Sequence, residues 1–254
     1  MITDYDSKAK ERQCDILNKV NRAHTYVEKP MMKSMMKKLK INKVLLLGCG
    51  TGDESLLVKE FNASKIIGID ISKESIDIAK NTYPNCEFYV GDMHNIPFDD
   101  NSFDFVYSSL AIHYSKNPEK IFKEVYRVLK KDGYFLFSVG HPLRWTSEKV
   151  NINDREFKLL GYQNSKEVNK IYGNYNTFTK IEEYLACEDI TFNLFIASPS
   201  THFKLLKKCG FQIEDFSESY AIDELKKIDY NYWYRYHEFP QFMAFLARKR
   251  EKYE

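Results

Sequence analysis

The chain is most tightly constrained between residues 43 and 70, where KVLLLGCGTGD leads through a short segment into KIIGID. Residues 44–47 are an uninterrupted apolar run, the pattern of a strand buried on both faces. Gly48, Gly50 and Gly52 follow at alternate positions, so the backbone can turn sharply and a ligand can press against the main chain. Leu56, Leu57 and Phe61 give the next segment an inward face at helical spacing. Residues 66–69 form a second buried strand that ends on Asp70. A carboxylate at the carboxyl end of such a strand is placed to accept hydrogen bonds from both hydroxyls of a ribose.

Two nucleotide sites compete for this loop. The dinucleotide fingerprint G-x-G-x-x-G needs a third glycine for close helix packing and sets a pyrophosphate on the helix N-terminus. Here the spacing is G-x-G-x-G and residue 53 is Asp. A carboxylate there repels a pyrophosphate and suits a ligand carrying an ammonium or sulfonium charge. LGCGTG at 47–52 with GIDIS at 68–72 resembles the cofactor site of the class I S-adenosylmethionine-dependent methyltransferases of the small-molecule type. A second loop, GDMHNIPF at 91–98, and EVYRVLKKDGY at 124–134 are similar to the same family.

The resemblance covers residues 41–140 well and 198–250 more weakly. It implies an α/β, Rossmann-like fold: a seven-stranded, mostly parallel sheet with the last strand antiparallel, helices on both faces, N-terminal helices and a substrate-covering insertion. One methyltransferase domain would span 1–254, with a helical cap over 1–40, a cofactor-binding core over 41–143, the insertion over 144–197 and the end of the sheet over 198–254. The cofactor implied is S-adenosyl-L-methionine, leaving as S-adenosyl-L-homocysteine. Its contacts would come from Gly48, Cys49, Gly50, Asp53, Asp70, Ile71, Asp92, Met93, Ser108 and Tyr26. Within that set Asp92 would take the adenine amino group, Met93 would pack on the ring, the Ser108 carbonyl would meet the methionine amine, and Tyr26 would close over the methionine end. The family usually carries an acid two residues before the first glycine. This chain has Leu46 there, and Asp53 is the candidate to supply the missing carboxylate.

His113 and His141 each follow the end of an expected strand, where an open α/β sheet places its ligand crevice. Histidine is the side chain best suited to take a proton near neutral pH, so both are catalytic candidates, with ordinary structural roles as the alternative. A methyl transfer by in-line displacement needs a base only when the nucleophile must lose a proton.

Along the rest of the chain, residues 9–20 read as a helix, and Pro30 starts another that runs to Leu39. Ser72 and Asn117 are helix N-caps. Lys130 and Lys131 suit the end of the helix that Asn117 opens, and Gly133 stops it. Strands are expected at 86–90, 103–109, 134–139, 211–216 and 242–247, with a helix from Ser198 to Gly210. Residues 144–197 break the α/β rhythm with scattered aromatics and a hairpin over 180–186 and 190–196.

With 38 Lys+Arg against 36 Asp+Glu, no basic stripe argues for a nucleic-acid partner. Asn-Pro-Pro-Tyr and Pro-Cys motifs are absent after the fourth expected strand, where Ser108-Ser-Leu-Ala stands. A small molecule with an aromatic or apolar part is therefore the expected acceptor. The alternatives are an RNA-modifying methyltransferase and a catalytically silent S-adenosylmethionine-binding module. Five cysteines without a C-x-x-C pair indicate neither a disulfide framework nor a zinc site, so no metal is expected. No apolar run approaches the ~18 residues of a membrane span, and the first residues do not read as a signal peptide. A cytoplasmic enzyme is the expectation; the acceptor atom and oligomeric state are not legible.

Overall fold

A computed structural model describes Ala9 and residues 21–163, 170–176, 178–185 and 190–250. The helix expected over 9–20, apart from Ala9, lies outside the described residues, as does the turn of the hairpin at 186–189. The chain enters through a π-helical turn, His24–Glu28, and α1, Lys29–Met36, with Pro30 in the first turn of α1. There follow β1, Lys43–Leu47; α2, Glu54–Glu60; β2, Lys65–Asp70; α3, Lys73–Thr82; β3, Glu87–Val90; and β4, Phe103–Ser108. After a 3-10 turn, Ile112–Tyr114, come α4, Pro118–Val128, β5, Leu129–Gly140, and the short α5, Pro142–Trp145. The insertion holds β6, Glu148–Ile152; β7, Arg155–Leu159; β8, Gly161–Gln163; β9, Lys170–Tyr172; β10, Thr179–Leu185; and β11, Ile190–Ile196. The chain then closes the fold with α6, Pro199–Lys208; β12, Phe211–Glu218; α7, Asp223–Ile228; α8, Tyr230–Glu238; and β13, Phe242–Lys249.

Seven strands form the main sheet in the order β12-β13-β5-β4-β1-β2-β3. All neighbours are parallel except at β13, which runs antiparallel to both β5 and β12. β1 pairs with β2 on one side and β4 on the other, so the order reverses there and leaves a crevice beyond the carboxyl ends. Alternation along β1 divides its side chains between two cores. Val44 and Leu46 join Met32, Met36 and Tyr107 on the side of the N-terminal helix. Leu45 and Leu47 join Ile67, Ile69, Phe103 and Val106 on the other. Leu46 is thus an ordinary core residue, 1% exposed. The second core is dominated by phenylalanines: Phe137 stacks on Phe135 at 4.7 Å and on Phe245 at 5.1 Å between ring centroids.

The capping expectations hold. Ser72 Oγ accepts from Ser75 N and Asn117 Oδ1 from Lys120 N. Helix ends differ: α1 stops at Met36 rather than Leu39. α4 ends at Val128, and Lys130, Lys131 and Gly133 lie inside β5 rather than closing the helix. Lys130 instead reaches Asp104 on the neighbouring strand at 2.8 Å, and the backbone irregularity falls at Asp132, with φ of 61°. Among the described residues, the insertion holds three antiparallel strand pairs, β6/β7, β8/β9 and β10/β11, only the last of which the sequence pattern marks.

Truncation of Phe137 to Ala removes the centre of the ring stack that joins β5 to β13. The expected loss is about 3–5 kcal/mol of stability, read as a lower urea midpoint.

Candidate functional site

The carboxyl ends of β1, β2 and β4 open onto a cavity of about 720 Å³. Its floor is the glycine turn after β1. Gly48 and Cys49 donate their N–H groups to Ile69 O at 2.9 and 3.0 Å. Gly50 N–H donates to Asp70 Oδ2 at 2.8 Å, and Ser72 N–H donates to Asp70 Oδ1 at 2.9 Å. One carboxylate therefore ties the turn after β1 to the start of α3. Gly48 adopts a φ of 67°, and a Cβ there would fall 2.4 Å from Ala111 Cβ. Gly50 adopts a φ of 50° with no atom within 4 Å of a Cβ position, so its face of the turn is open to a ligand.

Asp92 follows β3 and accepts from His94 N at 2.8 Å and from His94 Nδ1 at 2.7 Å. Burial opposes its ionisation, but these bonds outweigh that and hold the carboxyl below its usual range. Met93 and the half-exposed Ile71 share this part of the wall. An acceptor flanked by apolar side chains is what the edge and face of a purine require.

Beneath the turn lies a buried charged cluster. His24 Nε2 sits 2.9 Å from Glu54 Oε1 and 3.6 Å from Glu28 Oε2. Lys29 Nζ sits 2.9 Å from Asp53 Oδ2 and 3.3 Å from Glu54 Oε1. Tyr107 Oη donates to Glu54 Oε2 at 2.9 Å, while Ser109 and Ser138 donate to Glu28 Oε1 at 3.0 and 2.6 Å. Burial works against the charge on His24, but the Glu54 carboxylate overrides it and lifts the imidazole to about 9. Burial pushes Glu28 up, opposed by His24. Glu28 Oε2 has no hydrogen-bond partner among the described residues. His24, Asp53 and Glu54 bring potential metal-ligand atoms within 4.8 Å of one another. Lys29 already supplies a cation to both carboxylates.

The structure gathers Gly48, Cys49, Gly50, Asp53, Asp70, Ile71, Asp92, Met93 and His113 around the cavity. Three expected residues are not on its wall. Tyr26 packs partly buried against the first core, and its carbonyl accepts from Ile222 N at 3.1 Å. His24, two residues earlier, is the cavity residue of that turn. The spacing of His24 and Glu28, four apart, is the sequence signal for it. Ser108 is fully buried and donates to Leu47 O at 2.9 Å; the wall passes instead through Ser109, Leu110 and Ala111. His141 caps α5 by accepting from Leu143 N and turns its Nε2 to Glu218 Oε1 at 2.8 Å. His113 accepts from Gly140 N at Nδ1, 3.1 Å. Burial, with a smaller push from His202, lowers it to about 3, so it stands as a neutral ring protonated at Nε2.

The far end of the cavity, on the β5 and β13 side of the sheet away from β2 and β3, is built from α5, β11, α8 and β13, which contribute Arg144, Trp145, Leu194, Tyr232 and Phe242.

The model of the methyltransferase domain family matches residues 45–137, the stretch holding the turn, Asp70 and Asp92. A demethylmenaquinone methyltransferase of Chlorobaculum parvum is 35% identical over 175 residues, covering 68% of this chain and 67% of that protein. This chain belongs to the class I S-adenosylmethionine-dependent methyltransferases. A malonyl-[acyl-carrier protein] O-methyltransferase of Marinomonas sp. is 27% identical to this methyltransferase over 72% of this chain and 69% of that one. Among solved structures, a putative S-adenosylmethionine-dependent methyltransferase from Listeria monocytogenes superposes with a TM-score of 0.66 at 26% identity, covering 87% of this chain and 96% of its own. S-adenosylmethionine is the cofactor of this methyltransferase, and the open face at Gly50 beside Asp70 and Asp92 fits it.

The raised value of His24 sets a pH dependence for the methyltransferase fold. The pair with Glu54 contributes fully below the unfolded imidazole value of 6.5 and is lost as pH rises through about 9. Unfolding midpoints should fall across that interval in the wild type and fall less in His24→Gln, measured by urea titration from pH 6 to 10.

Proposed function

We propose that this methyltransferase transfers its methyl group to a small-molecule acceptor held in the far end of the cavity. The observation that carries this is where the far wall comes from. Trp145, Leu194, Tyr232 and Phe242 belong to elements outside residues 45–137, so the family core supplies the cofactor end and this chain's additional segments shape the other. Their apolar and aromatic character suits an organic molecule, and a volume of about 720 Å³ is within the usual range for ligand sites. The demethylmenaquinone methyltransferase among its relatives supports the same class.

In this reading Asp70 accepts from the ribose hydroxyls while its bonds to Gly50 and Ser72 keep it in place. Asp92 accepts from the adenine amino group, with Met93 and Ile71 against the ring. The carboxylates of Asp53 and Glu54 take over the electrostatic task of the acid that Leu46 replaces, at the methionine end of the cofactor. The bound cofactor supplies an activated methyl on a cationic sulfur. The chain's part is to orient the acceptor in line with that methyl and to exclude water, which in well-aligned pairs is worth roughly 7–11 kcal/mol. His113 serves as a neutral wall residue, because its Nδ1 is committed to Gly140. His141 orients α5 from beyond the cavity.

Calorimetric titration with S-adenosylmethionine and S-adenosylhomocysteine tests the cofactor half. Asp70→Ala should lose at least about tenfold in affinity, since charge-assisted bonds are worth about 1.5–3 kcal/mol. Asp53→Asn should weaken S-adenosylmethionine; an unchanged dissociation constant would remove Asp53 from the site. For the acceptor half, purified protein with radiolabelled cofactor should methylate members of a panel of small phenols, quinones, amines and organic acids. Transfer confined to added RNA would overturn the small-molecule reading.

A further inference from the structure

We infer that Arg144 is the anchor for a carboxylate on the acceptor, so that the molecule bound at the far end is an organic acid with a planar or apolar body. This rests on the small-molecule reading above. The charges lining the cavity are segregated. Its four carboxylates, Asp53, Glu54, Asp70 and Asp92, all sit at the cofactor end, in the turn after β1 or beyond β2 and β3. His24, a cation on the same wall, is paired with Glu54. Arg144 is the one lysine or arginine on the described wall, and it comes from α5, which follows β5 on the side of the sheet away from β2 and β3.

Arg144 also lacks a counter-ion among the described residues. Arg22, Arg127, Arg248 and Arg250 each reach an Asp or Glu carboxylate within 3.1 Å, and Arg155 and Arg235, which reach none among the described residues, are exposed, whereas Arg144 is partly buried. The Arg144 guanidinium instead lies against two ring faces, 4.7 Å from the Trp145 ring and 5.4 Å from the Tyr236 ring. Nη1 donates to the Tyr236 hydroxyl, and Nε is buried without a hydrogen-bond partner. Ring faces and a phenol oxygen fix the plane of a guanidinium but leave its charge uncompensated. A planar fork held this way is arranged for a carboxylate, which it can bind through two parallel N–H donors.

The surroundings agree. His113 and Tyr232 offer no negative charge at this end, as one is a neutral ring and burial, ahead of the neighbouring Tyr236, raises the other to about 12. Glu218, on β12, is paired with His141 Nε2 and is not on the cavity wall. Gly140 lets the indole of Trp145 lie close to β5, since a Cβ there would fall 2.7 Å from Trp145 Nε1. Trp145 in turn backs the guanidinium. Leu194 and Phe242 complete an apolar surface for the rest of the acceptor.

The test uses the full chain loaded with S-adenosylhomocysteine and matched acid and amide probes: benzoate and benzamide, phenylacetate and phenylacetamide, 4-hydroxybenzoate and 4-hydroxybenzamide. By calorimetry, at least one acid should bind about tenfold or more tighter than its amide. Arg144→Gln should abolish that preference, Arg144→Lys should restore part of it, and S-adenosylhomocysteine affinity should be unchanged in both, which controls for folding. Equal binding of acid and amide in the wild type, or a preference that survives in Arg144→Gln, overturns the assignment. Failure of the small-molecule reading looks different: acids bind through Arg144, yet no small molecule gains a methyl group.

Discussion

One carboxylate organises the floor of this methyltransferase's cavity, the end proposed to hold the cofactor. Asp70 accepts the N–H of Gly50 with one oxygen and the N–H of Ser72 with the other. The first bond holds the glycine turn in its left-handed course; the second fixes the entry to α3. The two strands that feed these groups, β1 and β2, are adjacent and parallel, so the turn and the acid arrive at the same edge of the sheet in fixed register. Everything placed around the cofactor end, from the open face of Gly50 to the wall at Ile71, depends on that junction.

Below it, the molecule accepts an expensive arrangement. Glu28, Asp53 and Glu54 are brought together with His24 and Lys29 where desolvation is costly. The hydroxyls of Tyr107, Ser109 and Ser138 offset part of that cost by donating to the carboxylates. The cluster joins the N-terminal helical segment to α2 and to the ends of β4 and β5, so the segment that precedes β1 is locked to the cofactor floor by charge as well as by its methionines. Leu46 fits this picture. With a leucine inside the first core, the acidic character of this region comes from α2 and the N-terminal turn instead.

The cavity is consequently polar in the electrical sense. Its acids lie where we propose that the cationic cofactor binds, and its arginine lies where we propose that the acceptor sits. Field and shape then act together: a cation and an anion entering one enclosed space are sorted to opposite ends before any specific contact is made.

The strands 44–47 and 66–69, the glycine turn, Asp70, the second loop at Asp92 and the caps at Ser72 and Asn117 were all legible in the sequence, because each is a local pattern. Burial on two faces forces a continuous apolar run, and a left-handed turn calls for glycine. The same local reading placed the end of α4 too far along, since the pairing of Lys130 with Asp104 comes from a neighbouring strand. It named Tyr26 and Ser108, while the cavity wall passes through His24 and Ser109, because which side of a turn faces a cavity depends on packing across the sheet. For the far wall it marked residues 144–197 as a substrate-covering insertion but not which side chains would meet there. Arg144, Leu194, Tyr232 and Phe242 are scattered over a hundred residues and meet only when β13 inserts antiparallel beside β5 and the insertion folds back. Sequence determined the cofactor end, where function follows from residues adjacent along the chain. Tertiary structure decided which residues of the proposed acceptor end come together, because only the sheet order makes them neighbours.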